Sequence, residues 1–181
     1  MPLSKNELQA IDKSVTSIII PNWTCNDIDY SIFDFSRFSI IESIEIGNDC
    51  FKSVQTFEID GLNRLKSLKI GNNSFNKLDK EFLSTGHSEE EWQEGSDLSK
   101  SFHILNCESL EFIQIGEYSF SDFGGEFELK NLPQLQSIQI GTIGRKSNNF
   151  YWSSFVIRGI EMILNIVMNR SSKSNIHYIR R

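Results

Sequence analysis

Cysteine is scarce in this chain: three in 181 residues, an odd number with no CxxC pair. Neither a disulfide framework nor a zinc site is indicated. Long apolar runs are missing too, so no segment reads as a transmembrane helix. The N-terminal "MPLSKNELQAIDKS" lacks the apolar stretch of a secretory signal, which makes the cytoplasm the default expectation. Basic charge is in deficit, with Lys+Arg 18 against Asp+Glu 24 and a net charge of −6, which disfavours nucleic acid as a partner. Tyrosine and tryptophan are few, 4 and 3, but phenylalanine reaches 14, which hints at a repeated core position. With 39% hydrophobic and 23% charged residues, the chain is expected to be one folded domain.

What is present is a recurring phrase. "LNRLKSLKIGNNSF" at 62–75 returns as "CESLEFIQIGEYSF" at 107–120 and as "LPQLQSIQIG" at 132–141. Ile41-x-x-Ile44-x-Ile46-Gly47 aligns with Leu65-x-x-Leu68-x-Ile70-Gly71, with Leu110-x-x-Ile113-x-Ile115-Gly116 and with Leu135-x-x-Ile138-x-Ile140-Gly141. Weaker copies start at Val15 and Ile163. The anchors step by 26, 24, 45, 25 and 28 residues, the 45 being one unit plus an insertion. A second signal runs in phase: Phe33/Phe35, Phe57/Ile59, Phe102/Ile104, Phe127/Leu129 and Phe155/Ile157. Alternation of this kind predicts half-buried strands, two to each unit. A unit this short cannot bury its own apolar face, and stacking units makes a continuous core.

The L-x-x-L-x-x-I-x-I-G segment resembles the strand of leucine-rich repeats. The following G-x-x-S-F…F-x-I resembles the phenylalanine-rich, BspA-like repeats of protist and bacterial surface proteins. The resemblance covers about residues 14–170 and implies a mainly β leucine-rich-repeat solenoid of about six units with parallel strands. The usual leucine-rich-repeat asparagine, two residues after the closing glycine position, occurs only as Asn73. Asp49, Tyr118, Ile143 and Ser171 stand there in the other units, so the Ser-Phe pair is expected to shape that turn.

Residues 1–13 are expected to cap the array, with a short helix started by the capping box Ser4-Lys5-Asn6-Glu7. Residues 171–181 form a basic tail in which Ile176 to Ile179 is a last strand, a loose end, or the start of a truncated array. Residues 84–100, "STGHSEEEWQEGSDLSK", carry five acids and one lysine. A protruding mobile loop is the main expectation, and a functional arm anchored by Trp92 the sharper one.

Catalytic sets are absent. "GTIGRKS" at 141–147 has the wrong glycine spacing for a phosphate-binding loop. His87, His103 and His177 fall in three unrelated places. Cys25, Cys50 and Cys107 align with core positions. Three sequons, at Asn22, Asn72 and Asn169, read as chance matches. No enzyme, cofactor or metal is expected.

With Ile44 and Ile46 pointing inward, their neighbours point outward on the concave sheet. One outward column is Ser17, Ser43, Ser67, Phe112, Ser137, Asn165. The other is Ile19, Glu45, Lys69, Gln114, Gln139, Val167. Glu45 and Lys69 are expected to pair. Ser43, Glu45, Ser67, Lys69, Phe112, Gln114, Ser137 and Gln139 are the candidate partner-binding residues. Phe112 is either a binding hot spot or is covered by the neighbouring insertion; both readings stay open. The expected function is non-catalytic recognition of a protein partner whose identity the sequence does not give. The alternative that the resemblance implies is a structural or cell-surface protein, adhesive or glycan-binding. Self-association through the open edge of the last repeat is a further expectation.

Overall fold

The computed structural model describes residues 10–28, 31–78, 80–142, 147–160, 165–168 and 176–179. The chain is mainly β, a solenoid of about five turns. In chain order the strands are β1 (Ser17–Ile20), β2 (Ile32–Asp34), β3 (Ser43–Ile46), β4 (Thr56–Asp60), β5 (Ser67–Ile70), β6 (Ser101–Leu105), β7 (Phe112–Ile115), β8 (Glu126–Lys130), β9 (Ser137–Ile140), β10 (Ser154–Arg158), β11 (Asn165–Met168) and β12 (Ile176–Ile179). Odd strands form one six-stranded sheet and even strands a second, and every pairing between neighbours is parallel. The tail segment Ile176–Ile179 is therefore a strand, β12, paired with β10. The proposed helix start at Ser4 and the anchor Ile163 lie outside the described residues. Ala10 to Ser14 are turn and bend.

Strands β1, β3, β5, β7 and β9 alternate buried and outward residues, as their period-two pattern requires. Ile44, Ile46, Leu68, Ile70, Ile113 and Ile115 point inward and are buried. The anchors Ile41, Leu65, Leu110 and Leu135 fill the corner by which the chain enters this sheet, and all are buried.

Phenylalanine builds two ladders between the sheets. Phe51, Phe75, Phe120 and Phe150 stack in succession at 5.0, 4.7 and 4.9 Å. Phe57, Phe102, Phe127 and Phe155 stack at 4.9, 4.8 and 4.4 Å. These separations track the strand spacing of about 4.8 Å. The ladders meet edge to face: Phe57 on Phe75, Phe102 on Phe120 and Phe127 on Phe150. Cys25, Cys50 and Cys107 are buried free thiols, as their alignment predicted.

Polar ladders hold the corner after the first sheet. Asn48 N–H donates to Asn22 Oδ1 at 2.7 Å, Asn72 N–H to Asn48 Oδ1 at 2.7 Å, and Glu117 N–H to Asn72 Oδ1 at 2.8 Å. The asparagine ladder thus sits one residue before the expected column. One step inward, Cys50 N–H donates to Ser74 Oγ and Ser74 N–H to Ser119 Oγ. Serine shapes this turn, as the Ser-Phe pairs suggested. Glycine precedes Asn48 and Asn72 because neighbouring turns touch there. A Cβ on Gly71 would stand 2.6 Å from the Gly47 carbonyl carbon, closer than side chains pack.

The insertion is not the protruding loop expected of its composition. A short helix, α1 (Lys80–Ser84), leads into it, and a second, α2 (Glu89–Glu94), lies within it. Ser88 caps α2 in a reciprocal capping box with Glu91. Trp92 is 4% exposed and meets Phe82 and Tyr151, so it anchors the insertion to the solenoid rather than reaching for a partner. Its apolar contacts overrode the acidic composition.

Candidate functional site

Along the first sheet the predicted columns stay in register. Ser17, Ser43, Ser67, Phe112, Ser137 and Asn165 pair strand to strand, as do Ile19, Glu45, Lys69, Gln114, Gln139 and Val167. Glu45, Lys69, Phe112 and Gln114 are exposed; Ser43, Ser67, Ser137 and Gln139 are half-buried. Ser43 Oγ donates to Ser17 Oγ at 2.8 Å. Gln139 Nε2 donates to the Gly141 carbonyl at 3.2 Å.

Two expectations change here. Glu45 and Lys69 are registered neighbours, but no ion pair joins them among the described residues. The ion pair lies one position before the strands, where Lys66 Nζ stands 2.7 Å from Glu42 Oε2. Their hydrogen bond holds the Glu42 carboxyl below its ordinary range and lifts the Lys66 ammonium above its own. Backbone bonds explain the choice: Lys66 N–H donates to Glu42 O and Glu111 N–H to Lys66 O, so pre-strand residues stack directly. Sequence reasoning stopped at the strand ends and missed this row.

Phe112 is not covered by the insertion. The insertion packs on the opposite corner, where Asp97 N–H donates to the Asp122 carbonyl and Trp92 stacks on Tyr151. Phe112 remains 44% exposed, and Ile19 on β1 is 70% exposed. At the corner that leads into these strands lies an open groove of about 630 Å³, lined by Lys66, Glu108, Ser109, Glu111, Pro133 and Gln134. The signal that could have found it is the stacking of equivalent corners. Glu108-Ser109 and Pro133-Gln134 hold the same place in adjacent units.

All three cysteine thiols are buried. Burial pushes the Cys25 thiol up to about 12 and the Cys107 thiol to about 11, and raises Cys50 as well. At neutral pH they stay protonated and poorly reactive. His103 faces Glu128 at 3.7 Å on the second sheet, and His87 faces Glu91 at 3.4 Å in the insertion. No group of three or more metal-ligating side chains forms among the described residues. No helix among them is long and apolar enough to cross a membrane. Of the sequons, Asn72-Asn73-Ser74 is committed to the corner, with Ser74 buried.

No family model, curated protein or solved structure matches the chain.

Proposed function

We propose that this chain is a non-catalytic recognition module that binds a protein through the outer face of the first sheet. Its repeats are of leucine-rich, BspA-like type in about six units, a reading supported by the L-x-x-L-x-x-I-x-I-G and Ser-Phe phrases. Phe112 carries the proposal. An aromatic ring stands 44% exposed where Ser17, Ser43, Ser67, Ser137 and Asn165 hold the equivalent positions. Exposed aromatics centred on a polar surface are the usual anchors of binding energy.

The test compares the wild type with Phe112→Ser and with Glu58→Ala, a control on the second sheet. Phe112→Ser is expected to change folding stability by less than about 0.5 kcal/mol, since the site already suits serine. It should weaken a partner captured by the wild type by roughly 2 kcal/mol, about thirtyfold. Glu58→Ala should retain that partner. Equal capture by all three proteins removes Phe112 from the interface. Unfolding by Phe112→Ser makes it a core residue instead.

A glycan-binding, adhesive role is the second reading. Phe112 shares its face with the amides of Gln114 and Gln139, and a ring flanked by amides also suits a sugar. Glycan-array binding that Phe112→Ser abolishes would select this reading over the first.

A further inference from the structure

The recognition surface leaves one chemically loaded pair unused. Lys100 Nζ lies 2.5 Å from Asp122 Oδ2, and neither side chain reaches solvent appreciably. Oδ2 also accepts the Lys77 backbone N–H at 3.2 Å. Oδ1 is buried and accepts no hydrogen bond among the described residues. The Phe123 ring closes the site, its centroid 5.1 Å from Nζ.

The backbone on both sides is clamped. Asp97 N–H donates to Asp122 O at 2.7 Å, Lys100 N–H to Asp97 O at 3.1 Å, Gly124 N–H to Asp97 O at 2.9 Å, and Gly125 N–H to Lys100 O at 3.0 Å. A Cβ on Gly125 would stand 2.6 Å from the Lys100 carbonyl oxygen, so the two segments are in close contact.

We propose that Lys100 and Asp122 condense into an intramolecular amide. A bond forms between Nζ and Cγ, and the Cγ–Oδ1 bond breaks. Two protons pass from Nζ to Oδ1, which leaves as water. Oδ2 stays as the amide oxygen and keeps the Lys77 N–H. The ammonium and carboxylate become a neutral amide, with one water released and no oxidant or co-reactant required.

Three features favour the step. Holding amine and carboxyl together in a fixed frame removes most of the entropic barrier to a two-body reaction. In water the charged forms win because they are hydrated, and burial takes that hydration away. Accordingly, burial lowers the Lys100 ammonium and raises the Asp122 carboxyl from their ordinary values, both toward the neutral forms that react. The product also discharges an ion pair from the interior. It would weld the base of the insertion to the next corner of the solenoid.

Intact-mass measurement on the denatured full chain tests this directly. The wild type is expected to be lighter than its sequence mass by one water. Tryptic digestion should fail after Lys100 and yield a branched peptide joining Lys100 to Asp122. Lys100→Met and Asp122→Ala should each show their full sequence mass, whether or not they fold well. A wild type at full sequence mass overturns the proposal. So does a water loss that maps elsewhere, for instance to Asp60-Gly61, where aspartate can cyclise on its own backbone.

Discussion

Phe120 has a role that its neighbours in the repeat share only in part. It stacks between Phe75 and Phe150 in its own ladder and meets Phe57, Phe102 and Phe123 edge-on. Removing it opens both ladders at once. Phe120→Ala should cost about 3–5 kcal/mol, read as a lower denaturant midpoint in an equilibrium melt. A loss under about 1 kcal/mol would mean that the ladders repack freely. Its place in the core was legible, because the Ser-Phe pair recurs in phase with the strands. Its conformation was not. Phe120 has a φ of 60°, a region that side chains rarely enter, and no single-residue preference announces that. Lys100 and Asp122 were equally opaque. Each looks like an ordinary surface charge until the insertion packs on the solenoid and buries the pair.

Among the elements, the strands were the readable part and the insertion the unreadable one. Period-two alternation with Ile, Leu and Phe fixes which residues face inward, and the registers follow from the repeat. The insertion carries five acids, and composition alone argued for a mobile loop. Local bonds decide otherwise. The Ser88 N–H bond holds the Glu91 carboxyl below its ordinary value of 4.5, and the Ser99 hydroxyl does the same for Asp97 below 3.8. A carboxyl depressed by folding stabilises the fold above its unfolded value and loses that contribution as pH falls through the folded one. The insertion should therefore be fully held above pH 4.5 and loosen first on acidification below it. Trp92 reports this, because it is buried between Phe82 and Tyr151. Its emission should shift to longer wavelength before the far-ultraviolet strand signal is lost. Simultaneous loss of both signals would show that the insertion has no separate acid transition.

Across the whole molecule, each described strand pairs only with strands of the adjacent turns. Interior strands such as β5, β6, β7 and β8 are paired on both sides, and those at the ends on one. Solenoids built this way lose structure from their ends inward. Amide hydrogen exchange should be slowest in β5 to β8 and rise toward β1 and β11. Uniform exchange along the array would instead indicate a single cooperative unit. The parallel architecture was legible from the repeat, but the stitching between turns was not. Asn22, Asn48 and Asn72 line up only when turns of 26 and 24 residues are laid over one another.

The left-handed corners bear on how the chain is made. Cys25, Phe51, Phe75, Phe120 and Phe150 all adopt φ between 50° and 60°. Such a backbone costs an isolated residue of order 1 kcal/mol. The N–H of Phe51, Phe75, Phe120 and Phe150 donates to a carbonyl of the turn before, at Thr24, Cys50, Ser74 and Phe120. These four corners therefore take their shape from contact with a neighbouring turn, and an isolated unit would lack the bonds that hold its corner in place.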